Sequence, residues 1–478
     1  MKRLFCFSLV IFALLFAASA NNSINAGVTS EGLDKSLIER LDKVFWQFNN
    51  STPGVAVAVF KEGEIVYKRG FGMANLEYDI PITTGSIFHI ASISKQFTAM
   101  SILLLAQEGK LSLDDDVRKY IPEVPDFGET ITIRHLAHHT SGLRDQWHLL
   151  SLAGWRAQDL KTQEDVLDLV KRQKELNFRP GEEYLYCNTG FTLLAIIVHR
   201  VSGKSLREFA DENIFQPLGM KNTHFHNDMG EIVKNRTSAY VPDDEAGFKI
   251  SIPNFETYGA TSLFTTVEDL ALWEQNFSHK RVGGEQAYKQ MLNKGVLNSG
   301  EEIDYALGIS HGTYRGLKTL GHTGSDAGYR ANFTMFPEQR LSIIILANVS
   351  NANPRQLTYQ AADILLEEEF TEEKEPTSEG PEKKEEPEPP ELSPDQLSEY
   401  TGTYYSEELD VNCTIVIRDT SLMLEWRKFE PEELSPTESD TFSTSGRTKI
   451  HFTRSKQNKI DGFTLSSRRI RNLRFDKK

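Results

Sequence analysis

Between residues 367 and 391 the chain changes character: this stretch holds 12 Glu, 3 Lys, 5 Pro and a single Gly, for a net charge of −9. A segment so acidic and proline-rich cannot bury enough apolar surface to offset its conformational entropy, so it reads as an extended linker. The 478 residues are thereby divided into two units that must each build a core of their own. Much of the formal net charge of −15 also belongs to this stretch, whereas residues 392–478 balance 14 acidic against 14 basic side chains. Overall acidity therefore says little about substrate charge. It does argue against nucleic acid as a partner, because phosphate binding needs clustered Lys and Arg.

The N-terminus runs Met1-Lys2-Arg3, an apolar stretch from Leu4 to Ala18, then Ala18-Ser19-Ala20. A basic start, a short greasy stretch and a small-x-small site describe a secretory signal peptide over residues 1–20. The apolar run is shorter than the ~20 residues a spanning helix needs. Cys6 lies inside that run instead of at the cleavage site, so no lipid attachment is expected. No later segment is apolar enough to span a bilayer, and the mature chain is expected to be secreted or periplasmic. Of the remaining cysteines, Cys187 and Cys413 fall in different units, and neither has metal-ligand spacing.

Within residues 21–366 helical and strand patterns mix. Val55 to Phe60, then Lys61-Glu62-Gly63-Glu64, then Ile65-Val66-Tyr67 predicts a hairpin. Residues 92–108 are apolar on most faces and predict a buried helix ended by Gly109. Residues 189–201 predict another, closed by Gly203. Leu341 to Leu346 reads as a buried strand. After the linker, residues 392–478 alternate apolar and polar over 413–417, 421–426, 449–452 and 462–465, which predicts a small all-β barrel or sandwich.

Three short motifs carry chemistry. In Ser92-Ile93-Ser94-Lys95 a helical spacing of three puts the ammonium within reach of the hydroxyl. An otherwise apolar helix would desolvate Lys95 and favour its neutral, basic form. In Tyr186-Cys187-Asn188 a phenol can relay a proton, and an amide can hold both a Lys and a substrate carbonyl. Ordinary N-capping by Asn188 or Thr189 is the competing explanation for that motif. In His322-Thr323-Gly324-Ser325 small residues let the backbone pass close to a ligand and offer N–H groups to an oxyanion, and a plain turn is the alternative.

Taken in this order, each occurring once, the three motifs resemble those of the β-lactamase and D-alanyl-D-alanine carboxypeptidase superfamily of active-site serine enzymes, in its class C-like branch. Supporting stretches include Phe88-His89-Ile90-Ala91, His139-Thr140-Ser141-Gly142-Leu143, Pro217-Leu218-Gly219-Met220 and Ser262-Leu263-Phe264. The resemblance implies an α+β catalytic domain, an antiparallel sheet flanked by helices with a helical subdomain. It implies Ser92 as nucleophile, Lys95 and Tyr186 as proton carriers, and Asn188, His322, Thr323 and Gly324 as substrate-orienting groups. The backbone N–H groups of Ser92 and Ser325 would form an oxyanion hole. His322 stands where many relatives carry a Lys that meets a substrate carboxylate, and a His there is familiar among peptidase and esterase relatives. Residues 392–478, opening Leu397-Ser398-Glu399-Tyr400-Thr401-Gly402, resemble the lipocalin-like β-domain that often follows such catalytic domains.

The substrate would be a small molecule or peptide, with peptidoglycan-derived D-peptides, carboxylic esters and β-lactams all open. The chemistry needs no cofactor and no metal. His135, His138 and His139 have a suggestive spacing, but no Glu or distant ligand completes a metalloprotease pattern. A non-catalytic cell-wall or penicillin-binding protein of the same fold is the alternative, and the presence of Ser92, Lys95, Tyr186 and Asn188 together weighs against it.

Overall fold

The computed structural model describes residues 33–373, 390, 392–426, 428–445 and 448–478. The expected signal peptide and most of the acidic linker lie outside the described residues. Among the described residues no helix is long and apolar enough to cross a membrane.

The first unit is organised by a six-stranded antiparallel sheet. Read across, its strands are Ser310–Tyr314, Leu317–Asp326, Tyr329–Phe336, Leu341–Ala347, Val55–Lys61 and Glu64–Phe71. The predicted hairpin is the last pair, its turn made by Glu62 and Gly63 at φ +57° and +86°. Val55–Lys61 and Leu341–Ala347 lie inside the sheet with both faces covered, which explains their unbroken apolar sequence. Lys35–Val44 and Pro354–Leu365 cover one face through Leu41, Phe45, Leu357 and Ala361. The other face packs on Val267–His279, and behind that helix lies Ser94–Gln107, whose apolar residues point in every direction because it runs through the core. Asn188–Ser202 lies against it and ends at Gly203, φ +75°.

The chain does not leave this unit at residue 366. Thr371 N donates to the Arg315 carbonyl at 3.2 Å, and the Phe370 ring lies 4.1 Å from the Arg315 guanidinium. Beyond the undescribed stretch, Ser393 caps a short helix, Pro394–Glu399. Eight strands then close an up-and-down barrel in sequence order, from Gly402–Ser406 to Ile470–Lys477. Each alternating segment read from the sequence falls within one of its strands. Its interior is filled by side chains, among them Tyr404, Phe442, Phe452, Phe463 and Phe475. Cys187 and Cys413 are free and buried.

The barrel docks on the first unit. Leu149, Leu150 and Leu169 of two short helices share one apolar cluster with the barrel core. At the interface Arg144, fully buried, pairs with Glu408 at 2.8 Å. Burial pushes Glu408 up and Arg144 down, each toward its neutral form. The guanidinium is held by the carboxylate and by the carbonyls of Glu175 and Arg471. Removing one partner strands the other charge, so Glu408→Ala is expected to cost about 3 kcal/mol of unfolding free energy in urea titrations. The double variant Arg144→Met/Glu408→Leu should recover most of that loss, and a wild-type midpoint for Glu408→Ala would contradict the pair's role.

Candidate active site

The predicted helix over 92–108 begins with a tighter turn. Ser92 sits in the 3-10 segment Ala91–Ile93, and Lys95 in the first turn of Ser94–Gln107. Ala91 has φ +48°, a left-handed conformation that costs an L-residue about 1 kcal/mol. Ser92 lines a cleft of about 1120 Å³, while Lys95 is fully buried beneath it. Lys95 Nζ lies 3.1 Å from Ser92 Oγ and donates to Asn188 Oδ1 at 2.9 Å and to the Ala260 carbonyl at 2.6 Å. Burial pushes its pKa down to about 7 against the pull of Asp145.

Asn188 is the first residue of its helix and not the cap; Cys187 occupies that position without a side-chain bond. The capping explanation therefore fails, and the amide serves Lys95 instead. Its other end is anchored by Asp145, whose Oδ2 accepts from both the backbone N and Nδ2 of Asn188 at 2.8 Å. Burial pushes Asp145 up, but hydrogen bonds from His148 and Asn188 and the Arg469 charge outweigh it, so the carboxyl stays below its ordinary value.

The Tyr186 hydroxyl is buried and has no partner in good hydrogen-bond geometry. Burial drives its pKa up, and the nearby Ser92 hydroxyl only partly opposes this, so the phenol keeps its proton. Its ring is flanked by His139 at 4.1 Å between centroids and by the Lys95 ammonium at 5.0 Å. His139, at φ +61°, holds the loop through Nδ1, 3.0 Å from the Cys187 carbonyl and 3.1 Å from its N–H. His135 faces Thr132, and His138 faces the carbonyls of Arg134 and Asn293, so the three imidazoles do not converge.

The third motif lies on the sheet strand Leu317–Asp326. It is a strand and not a turn. A Cβ at Gly324 would stand 2.2 Å from the Ile90 carbonyl oxygen, so only glycine lets this strand press against the turn carrying Ser92. Thr323 and Ser325 are exposed in the cleft beyond it. His322 is buried, its Nε2 3.1 Å from the Tyr305 hydroxyl and its Nδ1 2.6 Å from the Thr323 carbonyl. Burial, with help from Lys95, lowers its pKa to about 4, which leaves the imidazole neutral at physiological pH. At the strand's end Asp326 accepts from Thr261 Oγ1 at 2.7 Å and is pushed up to about 6 by burial.

All the sequence-singled residues thus gather around one cleft. Sequence reasoning missed Asp145, the Ala260 carbonyl, Tyr305 and Arg469, which lies 4.7 Å over the Tyr186 ring. Among the described residues His224, His226 and Glu231 could hold a metal, their ligand atoms lying within 4.8 Å of one another. Glu231 is, however, already clasped by both Arg207 Nη atoms at 2.5 and 2.7 Å, so a cation would enter against a guanidinium.

Comparison with known proteins agrees with this geometry. The Beta-lactamase family model matches residues 35–366, and a domain of unknown function (DUF3471) matches residues 386–477. A D-aminopeptidase of Gluconobacter oxydans is 29% identical over 300 residues, 63% of this chain and 56% of that protein. Penicillin-binding protein 4* of Bacillus subtilis is 31% identical over 343 residues, 67% of this chain and 72% of that protein. The chain therefore spans little more than half the length of the D-aminopeptidase. The octameric penicillin-binding protein homologue from Pyrococcus abyssi shares the fold at a TM-score of 0.60 and 24% identity, covering 92% of this chain and 98% of the other. With the family model spanning most of its length, and the Ser-Lys, Tyr-Asn and His-Thr-Gly elements meeting in one cleft, the chain belongs to the Beta-lactamase family.

Proposed function

We propose that this protein is an active-site serine hydrolase that transfers acyl groups from amides or esters to Ser92 and then to water. The observation that carries this is the surroundings of the Lys95 amine. Apart from Ser92 it has two acceptors, Asn188 Oδ1 and the Ala260 carbonyl. A neutral amine gives its two N–H bonds to these and directs its lone pair at the Ser92 hydroxyl. With a pKa near 7 the neutral form is well populated at physiological pH.

In this mechanism Ser92 Oγ attacks the carbonyl carbon as its proton passes to Lys95. The tetrahedral oxygen is received by the backbone N–H groups of Ser92 and Ser325. Tyr186, held as a phenol, hands a proton to the leaving group and recovers one from Lys95. Asn188 orients the lysine, and Thr323 and Gly324 border the substrate on the strand side. A water then cleaves the acyl-serine by the reverse proton path. The D-aminopeptidase and penicillin-binding-protein relatives favour peptides built from D-amino acids as the substrate class. The N-terminal sequence supports export of the mature chain.

A fluorophosphonate should add one adduct to the intact protein, placed on Ser92 by peptide mapping, and Ser92→Ala should abolish both adduct and turnover with little change in thermal midpoint. An unlabelled, folded wild-type protein would favour the non-catalytic alternative. The pH dependence has a definite sign: the active amine is deprotonated, so kcat/KM for a neutral ester should climb about tenfold per pH unit below 7 and level off above it. Because the Asp326 charge raises the Lys95 pKa, Asp326→Asn should move the midpoint to lower pH. A flat profile between pH 5 and 9 would exclude Lys95 as the base.

A further inference from the structure

The barrel forms part of the wall of the cleft, and the residue it contributes is Arg469. Arg469 lies in the turn between Ile460–Ser467 and Ile470–Lys477. Catalytic-unit residues fix that turn: Asn177 Nδ2 donates to the Arg469 carbonyl at 3.0 Å and Asn177 Oδ1 accepts from Arg471 N at 2.8 Å. Glu183 adds two bonds to the Arg471 guanidinium at 2.9 Å. The Arg469 guanidinium is then stacked on Tyr186 and stands 3.6 Å from Asp145, a spacing held by charge and not by a hydrogen bond. Its side chain stays 35% exposed, so a positive charge is fixed at the wall and still faces the cleft.

Among the described residues the other cations lining the cleft are occupied. Lys161 gives its ammonium to the carbonyls of Arg156, Ala157 and Asp159. Arg156 is paired with Asp159. Lys95 is buried and bonded on three sides. His322, where many relatives carry a lysine, is neutral. Asp326 is the acidic group facing the same space from the opposite strand, and it is tied to Thr261. An anion entering the cleft therefore meets one guanidinium whose planar fork suits a carboxylate and whose stacking on an aromatic ring has already oriented it.

We propose that Arg469 is a carboxylate-binding subsite of this active site, supplied by the barrel, so that preferred substrates carry a free carboxylate next to the scissile bond and not a free amine. The proposal rests on the acyl-serine reading and deepens it by naming the charge class of the substrate. It also gives the barrel a part in specificity.

The test uses the full chain hydrolysing a p-nitrophenyl ester, with N-acetyl-D-alanyl-D-alanine and its C-terminal amide as competitors. The ratio of the two inhibition constants is taken within each protein, so differences in active fraction cancel. Wild type should favour the carboxylate by at least about tenfold, the scale of a charge-assisted contact. R469Q should bring the ratio close to one, and R469K should restore part of it. R468Q removes the same charge from the exposed neighbouring residue and should keep the wild-type ratio. Equal inhibition by both compounds, inhibition by neither, or an unchanged ratio in R469Q would overturn the subsite. Failure of the wild type to hydrolyse the ester or to be labelled at Ser92 would instead overturn the acyl-serine reading, and the subsite with it.

Discussion

A primary amine held out of water beside a hydroxyl is the constraint on which the site depends. An isolated ammonium in a protein interior is costly, and Lys95 is tolerated because three oxygens surround it. Two of those oxygens come from distant parts of the chain, the Asn188 side chain and the Ala260 backbone. The helix carrying Lys95 must therefore pack against Asn188–Ser202 and against the 257–262 loop at once. That requirement accounts for a helix buried on every face and for the hydroxyls lining it: Thr98 donates to the Gly259 carbonyl at 2.8 Å, and Ser94 accepts from Leu263 N at 3.0 Å. Both tie the loop to the lysine's own helix.

Three left-handed non-glycine residues stand beside the same site. Ala91, His139 and Ser262 all have positive φ, at +48°, +61° and +73°. Each adjoins an element that must arrive at a set position: Ser92, the Tyr-Cys-Asn loop, and the segment bearing Ala260 and Thr261. Strained non-glycine conformations persist only where the surrounding packing over-determines them. Here the packing is the central sheet on one side, with Gly324 pressed on Ile90, and the helical core on the other. The chain gives up local conformational ease to bring three segments to one point.

The parts of this arrangement that were legible in the sequence are those written in side-chain identity. Ser92, Lys95, Tyr186, Asn188 and the His-Thr-Gly strand carry recognisable chemistry at recognisable spacing, and the buried helices and strands show themselves by unbroken apolar runs. Alternation points to a small barrel or sandwich after residue 391, and its closure by eight strands is seen only in the structure. Other parts could not be read. The Ala260 carbonyl is a backbone group, and any residue would supply it. Asp145 is sited as an ordinary helix N-cap, accepting from Trp147 N, and only tertiary contact turns it toward Asn188. Tyr305 acquires a role through a neighbour 17 positions away. Arg469 is one basic residue among many in a charge-balanced domain until docking brings it to the cleft. Asn188 shows the reverse case: local propensity allowed a cap as well, and the tertiary partner made its amide oxygen the acceptor for the Lys95 amine.

The acidic segment shows how far net charge can stand from the charges that matter. The contacts joining the two units are short-range and of matched sign: Arg144 with Glu408, Lys174 with Glu407, Arg471 with Glu183. The last two are exposed and contribute little each, about 1 kcal/mol or less, and the buried first pair spends much of its attraction on desolvation, so these contacts would not hold two free proteins together. A covalent tether changes that requirement, because docking becomes intramolecular and a modest interface suffices when the effective concentration is in the millimolar range. The densest acidic charge, in residues 367–391, can then serve solubility, while the interface and the cleft keep the few charges whose positions are set by packing.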